Sequence, residues 1–516
     1  MRGLSISDTI SNMGILRLIA IILFFVLVAV LSVHSINSIN QDIGRHLKSG
    51  EIIWQTKSVY KTNLFSFTEP THPFINHHWL SEVVFYLLNG IIGLKGLIIF
   101  KAAAIVAAFF LIFKSLPRAA LGWPFLAAGI PAILVFSSRT DIRPEVFSYL
   151  FLSFFLFAIF RAKHSNEHKW LYALPVIQIF WTNMHIYFAL GPALLFIFWL
   201  DRLAHDKIHA KKIFTLFAAT VLTTLINPNF ISGALAPLMI LRDYGYSIVE
   251  NQSIFFLTDY SIQLRDIYIF EVSLAILIPS FIVALKRGQR AIVFEFLTAL
   301  AFTIMAGKMI RNFGPYALVF TSVIAVNLAG RPPTKPSSST ERLFQILLYG
   351  ALIAVTLLLI RGAVNNKLHQ WFGDSKKFGL ILPIGAQGGV DFVKDNGLKG
   401  PIFNNFDVGS FLIWKLYPEE KVFVDGRPEA YSVDFFSKIY KPMQEDLASW
   451  QKYSEEYKIN YIFFGHTDMT PWARTFLSYI SQNPNWPLIY LDGSTAIFIK
   501  HTPANLKLIK KFEIKK

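Results

Sequence analysis

Between two long apolar runs lies a polar stretch, Asp42 to Glu82, dense in imidazole and carboxylate. Asp42 and His46 are four residues apart, as are His78 and Glu82, so on helical stretches each pair shares a face. A carboxylate and an imidazole brought together at a membrane surface form a proton-handling site, in which one takes the proton of an attacking hydroxyl and the other orients or tunes it. The same residue types also serve simply to satisfy an interfacial loop. A third reading is a divalent metal held by His46, His77, His78 and a carboxylate; the ligand types suit it, but the spacing matches no recognised ligand pattern.

Two later groups are cationic: Arg139 and Arg143 around Asp141, and Lys308 and Arg311 in GKMIRNFGP. Arg grips a phosphate bidentately and Lys as a point charge, which makes Arg143, Lys308 and Arg311 candidates for a donor phosphate. Snorkelling from span ends explains them equally well. In WTNMH an aromatic belt accounts for Trp181, and His185 is a candidate acceptor contact beside Asn183; Asn227-Pro228 ends a helix. Further along, Asp425, Gly426 and Arg427 follow an expected strand and Asp407 precedes an expected helix start. Both acids then lie at strand ends, where α/β domains bind ligands, and Asp407, Asp425 and Arg427 join His185 as acceptor-binding candidates. A turn at Asp425-Gly426 and a cap at Asp407 explain the same residues structurally.

The elements that must position these groups are apolar. Of the 516 residues, 53% are hydrophobic, 15% aromatic and only 16% charged, a composition for a polytopic membrane protein. About eleven runs approach the length of a span: 15–33, 94–113, 119–137, 144–161, 169–184, 186–200, 212–227, 268–285, 291–306, 313–329 and 343–361. The first has no small-residue cleavage site and reads as a signal anchor. The net charge of +16 points away from nucleic acid, because the basic residues cluster in alternate short loops, as cytoplasmic retention signals do. These are Lys114 and Arg118; Arg161, Lys163 and Lys169; Arg202, Lys207, Lys211 and Lys212; Lys286, Arg287 and Arg290; and Arg331, Lys335 and Arg342. With an odd number of spans and the N-terminus inside, the polar loop 34–93 and everything after about Gly362 lie outside the cytoplasm. The Pro/Ser-rich run Arg331–Glu341 reads as a flexible connector. No cysteine is present, which excludes disulfides and thiolate chemistry.

Two domains follow: a membrane part, 1–361, and an extracytoplasmic α/β part, 362–516. In the latter GPIFNN, KVFVDG, NYIFFG, PLIYLD and TAIFIKH read as strands, with parallel pairing, and GSFLIWKL and EDLASWQKYSEEY as helices. No repeat of fixed period is present.

The order of motifs carries a resemblance. D-x-x-x-H-L-x-x-G after the first span, then F-S-F-T, H-x-W-L-S-E, R-P, W-x-N-x-H, N-P and R-N, with F-N-N-F-D-x-G-S-F-L-I-W and V-F-V-D-G-R-P-E-A-Y in the tail, resembles bacterial integral-membrane glycosyltransferases of the GT-C superfold. The chain is similar to the dolichyl-phosphate-mannose protein mannosyltransferase and aminoarabinose transferase group. The resemblance implies a bacterial cytoplasmic-membrane enzyme of the cell envelope that transfers a sugar, with inversion, from a polyprenyl-phosphate carrier to a glycan, lipid or protein acceptor on the outer face. It implies Asp42 as catalytic base, with His46, His78 and Glu82 around it, membrane lipids as surroundings, and no cofactor beyond an optional divalent metal. The chain departs from that pattern at Asn63, where a second Asp is common. Rival readings are a lipid-linked glycan transporter or flippase, which needs ionisable residues near the bilayer midplane, and a non-catalytic assembly factor.

Overall fold

Every apolar run singled out above falls on a helix. The computed structural model describes residues 6–36, 42–239, 242–289, 292–329, 339–371, 376–382 and 385–514. Arg290, Arg331 and Lys335, and the connector Arg331–Glu341 as far as position 338, lie outside the described residues. Among the described residues six helices are long and apolar enough to cross a membrane: they lie within Gly14–Ser32, Trp79–Ser115, Glu145–Ser165, Ile186–His205, Leu264–Lys286 and Ser339–Val364. The remaining runs form shorter helices, so the structure supports a polytopic helical membrane protein without fixing eleven crossings. The helix Trp79–Ser115 has 37 residues and breaks its helical geometry at Gly93, whose φ of 65° suits glycine. At about 1.5 Å per residue it is nearly twice as long as a bilayer core is thick, so only part of it lies in hydrocarbon.

By contact the chain divides into two compact units: Met1–Ser35, Ile98–Ala234 and Ile248–Ile381 form one, and Ile36–Leu97, Leu235–Ser247 and Leu382–Lys516 the other. This differs from the division at 361/362 expected from hydropathy. Hydropathy registers which segments avoid water, whereas the polar loop after the first span finds its packing partners in the tail.

In the first unit the helix Phe313–Leu328 is buried along almost its whole length. An all-round apolar helix with few polar side chains belongs at the centre of a bundle. Thr321 and Ser322 bond back to the carbonyls of Ala317 and Leu318, and Asn327 donates to Ser280 Oγ at 3.0 Å, which satisfies these two hydroxyls and the amide nitrogen.

In the second unit four strands, β1 (Ile402–Asn404), β2 (Tyr461–Gly465), β3 (Leu488–Leu491) and β4 (Thr495–Ile499), run in the order β1-β2-β4-β3. Only β1 and β2 are parallel; β4 is antiparallel to both its neighbours. The all-parallel expectation fails because β3 and β4 are joined by a tight turn at Asp492, and a turn that short can only reverse the chain. KVFVDG is not a sheet strand either. Its backbone is held by side chains: Asn404 accepts from Phe423 N–H at 2.9 Å and donates to Val424 O at 2.7 Å, while Ser66 and Thr68 donate to Phe423 O. Asn405 does the same for Gly465, accepting from its N–H at 2.8 Å. The paired asparagines of the FNNFD motif are thus backbone clamps, both fully buried. Tyr246, from the segment Leu235–Ser247, stacks on Phe406 with ring centroids 4.2 Å apart, a contact with no periodic signal in the sequence.

Candidate active site

Asp42 is the N-cap residue of the helix Ile43–Thr56, but its side chain makes no capping bond, which leaves the carboxylate available. The N-terminal helix dipole favours the negative charge there. Oδ1 accepts a hydrogen bond from Ser410 Oγ at 3.1 Å and lies 3.9 Å from Arg45 Nη2, and the side chain stays 27% exposed. Gly426 leaves room for it: a Cβ there would sit 2.7 Å from Asp42 Oδ1.

Glu82 is placed quite differently. It is fully buried, and its Oε1 accepts from His46 Nδ1 at 2.9 Å while Oε2 accepts from Asn76 Nδ2 at 2.7 Å. Arg45 Nη1 approaches Oε1 at 3.5 Å. Burial, and then the charge of Arg45, lower the His46 pKa below its usual value, so the imidazole is neutral near pH 7. Arg45 Nη2 points at His46 Nε2 from 3.4 Å, which leaves the ring proton on Nδ1, facing Glu82. Gly50 permits this assembly, because a Cβ there would lie 2.0 Å from the Glu82 carbonyl oxygen. The spacing in sequence pairs Asp42 with His46 and His78 with Glu82; the structure instead pairs His46 with Glu82 and Asp42 with Ser410. His78 is half-buried, its ring 5.6 Å from that of His46 and 4.0 Å from that of His77.

Two of the acceptor-binding candidates of the tail are internal. Asp425 and Arg427 are 0% and 1% exposed and bond bidentately at 2.7 and 2.8 Å. Burial opposes ionisation of Asp425, but Arg427 beside it carries the carboxyl below its usual range. Tyr431 donates to the same carboxylate at 2.9 Å. Arg427 also donates to Asn63 Oδ1 at 2.9 Å, and Asn63 Nδ2 donates to Ala430 O at 3.0 Å. Asn63 therefore uses both halves of its amide, and an Asp could not supply the second bond. This buried pair holds the turn that faces Asp42. Asp407, half-buried in the first turn of the helix Phe406–Leu416, has its pKa pushed up to about 7 by burial and then by Asp468 and Asp42.

In the other unit Arg143 bonds Glu250 through Nη1 at 2.6 and 2.7 Å, and Arg311 Nη1 donates to Asn251 Oδ1 at 2.9 Å. Lys308, at the end of the helix Val293–Lys308, is exposed. His185 is buried, with Nδ1 2.8 Å from Ser148 Oγ, which accepts from Trp181 Nε1 at 2.8 Å; Trp181 is fully buried as well, in a packed core rather than in an aromatic belt. Glu250 and Asn251 escaped the sequence reading. The signal for them was indirect: three cations, Arg143, Lys308 and Arg311, without an assigned counter-charge.

Solved structures similar to this chain include the archaeal oligosaccharyltransferase AglB from Archaeoglobus fulgidus in complex with an inhibitory peptide and a dolichol-phosphate. The TM-score is 0.58 at 11% identity, over 96% of this chain and 75% of that one. A second is the Archaeoglobus fulgidus oligosaccharyltransferase in complex with Zn and sulfate, with a TM-score of 0.57 at 12% identity, over 93% and 73%. The chain has the fold of these membrane proteins. That fold is consistent with the GT-C-like architecture expected from the motifs, although both neighbours are oligosaccharyltransferases rather than members of the mannosyltransferase or aminoarabinose transferase group. No protein-family model and no curated protein sequence matches the chain.

The zinc of the second neighbour raises the question of a metal here. Among the described residues no group of three or more His, Asp or Glu side chains converges to hold one. His46, on which the metal reading depended, has its Nδ1 on Glu82, and Asn63 offers an already bonded amide where the resembling group often has Asp. Among the described residues the ligands of the metal reading are thus not assembled into a centre.

Proposed function

We propose that the chain is an inverting glycosyltransferase of the bacterial cytoplasmic membrane that moves a sugar from a polyprenyl-phosphate carrier to an acceptor on the outer face. The observation that carries this reading is the contrast between the two loop carboxylates: Glu82 is sealed and fully bonded, whereas Asp42 is open, oriented and beside the Arg45 guanidinium. The fold supports it, since the AglB neighbour holds a dolichol-phosphate and a peptide. A lipid carrier and a protein acceptor therefore belong to the candidate class, beside glycan and lipid acceptors.

Asp42 takes the proton of the acceptor hydroxyl as its oxygen attacks the anomeric carbon. The bond from that carbon to the phosphate oxygen breaks, and its electron pair leaves with the phosphate, so configuration inverts. A phosphate leaves without a general acid once its growing charge is stabilised, which is why one base suffices where a glycosidase needs two carboxyls. Arg143, Lys308 and Arg311 are the proposed stabilisers. Arg45, His46 and Glu82 position the base from behind.

One observation favours the flippase reading as well. Lys101 is fully buried on the apolar half of the helix Trp79–Ser115, 3.1 Å from His34 Nε2. Reconstitution separates the two. Purified protein with polyprenyl-phosphate sugar and cell-envelope acceptors should form product, and Asp42→Asn should abolish it. Lipid scrambling without transfer would replace this proposal by the flippase reading.

A further inference from the structure

One three-residue turn, Val249–Asn251, bonds all three arginines of the cationic group. Glu250 chelates Arg143 Nη1 and also meets Arg139 through Nη1 at 3.0 Å and Nη2 at 3.3 Å, while Asn251 takes Arg311. Arg139 holds a second carboxylate, Glu145, at 3.0 and 3.1 Å. The group thus sets three guanidiniums against the carboxylates of Glu250 and Glu145, with the charge of Asp141 close to Arg143. Glu145 rides on a helix, Glu145–Ser165, but Glu250 sits on a short turn. The Arg143–Glu250 pair is open to solvent, with side chains 18% and 24% exposed, while Arg139 is 6% exposed. Arg139 Nε and Arg311 Nε are buried without an acceptor. Buried guanidinium donors seldom stay unbonded, so the cluster has more donor capacity than its present partners use.

We infer that Arg139, Arg143 and Arg311 form a phosphate-binding seat whose resident anion is the Glu250 carboxylate, exchanged for the phosphate of the ligand when it binds. A carboxylate offers two acceptor oxygens to the arginines. The phosphomonoester that leaves as the anomeric carbon–oxygen bond breaks offers three and nearly twice the charge, and can reach the idle Nε donors as well. Glu250 keeps three like charges stable together when no ligand is present, and raises the threshold for weaker anions. Burial disfavours its charge, but Arg139 and then Arg143 hold its pKa well below the usual range, so it competes as a full anion at neutral pH. The inference rests on the reading of a phosphate-bearing donor and adds Arg139, Glu250 and Asn251 to its site.

The test titrates detergent-purified full chain with inorganic phosphate and with farnesyl phosphate, read by thermal shift and calorimetry. Glu250→Gln removes the competing charge and should tighten phosphate binding by about tenfold, whereas Glu167→Gln, which deletes a carboxylate paired with Arg161 elsewhere, should change nothing. If Glu250→Gln is poorly recovered, phosphate in the buffer should restore it selectively. Unchanged or weaker binding by Glu250→Gln, or no recovery with phosphate, overturns the inference. A larger gain for farnesyl phosphate assigns the seat to a lipid-linked phosphate, and a larger gain for inorganic phosphate to a free anion. Tighter binding without sugar transfer would leave the seat standing and remove the glycosyltransferase reading. Transfer without tighter binding would do the reverse.

Discussion

Ser410 Oγ donates a hydrogen bond to Asp42 Oδ1 at 3.1 Å, joining residues 368 positions apart in the chain. The helix Phe406–Leu416 therefore steers the carboxylate that the helix Ile43–Thr56 carries. Asp42→Asn keeps the shape and removes the proton affinity, and should lower single-turnover transfer by roughly two to four orders of magnitude. Ser410→Ala leaves the base in place but loosens it, and should cost about tenfold, mostly in turnover. Both should insert and purify like the parent; near-normal transfer by Asp42→Asn would move the base elsewhere.

Asp407 makes stability depend on pH. Its folded pKa is pushed up to about 7 from an unfolded value of about 4. The stabilisation from its protonated form is complete below about pH 4 and is lost as pH rises through 7. Asp407→Asn has no such loss. Its melting temperature, measured from pH 4 to 8.5, should gain on the parent by a few degrees above pH 7, with the gap narrowing toward pH 4.

Asn63→Asp restores the residue common in the resembling group, yet it should not improve transfer. The substitution removes the Nδ2 donor to Ala430 O and sets a carboxylate against that carbonyl, costing about 1–3 kcal/mol. Chemical or thermal unfolding of the purified protein reads this directly. A gain in activity, or a metal requirement appearing in the variant, would show that the position serves chemistry.

Arg427→Ala strands the buried Asp425 charge and should destabilise by about 3–5 kcal/mol, so yield should fall together with activity. Glu82→Gln tests the other buried hub. It leaves Arg45 beside a neutral amide, and a stable protein with an altered pH–activity profile would mark Glu82 as tuning the base through His46.

Orientation is checked by fusing a reporter that works only outside the cytoplasm. After Lys367 it should be active, and at Ser338 silent. The opposite pattern would reverse the sidedness of the proposal.

Much of this was legible from residue types. The apolar runs announce their helices because hydrocarbon demands long apolar stretches, and the polar loop stands out against them. Asp42 was visible as an acid of that loop, four residues before His46. Its partner was not, since nothing local to Ser410 marks it as facing a residue so far away in the chain. The i, i+4 rule misassigned His46 and Glu82 because it describes one helix, while these two come from different helices brought together over Gly50. Glu250 was hidden for a similar reason: its charge is explained by Arg143 and Arg139, 107 and 111 positions earlier. Asn404 and Asn405 looked like motif letters and proved to be replacements for sheet hydrogen bonds.

The dependence of Asp42 on Ser410 also has a chronology. At roughly 5–20 residues per second, a ribosome needs roughly 20–70 seconds after placing Asp42 to deliver the helix that steers it. Throughout that interval the nascent chain can insert its early spans and meet lipid, but the proposed base has no Ser410 to hold it. Catalysis would begin only once the tail is made, so a chain cut short by a stalled ribosome or a protease would sit in the membrane without acting on the carrier pool.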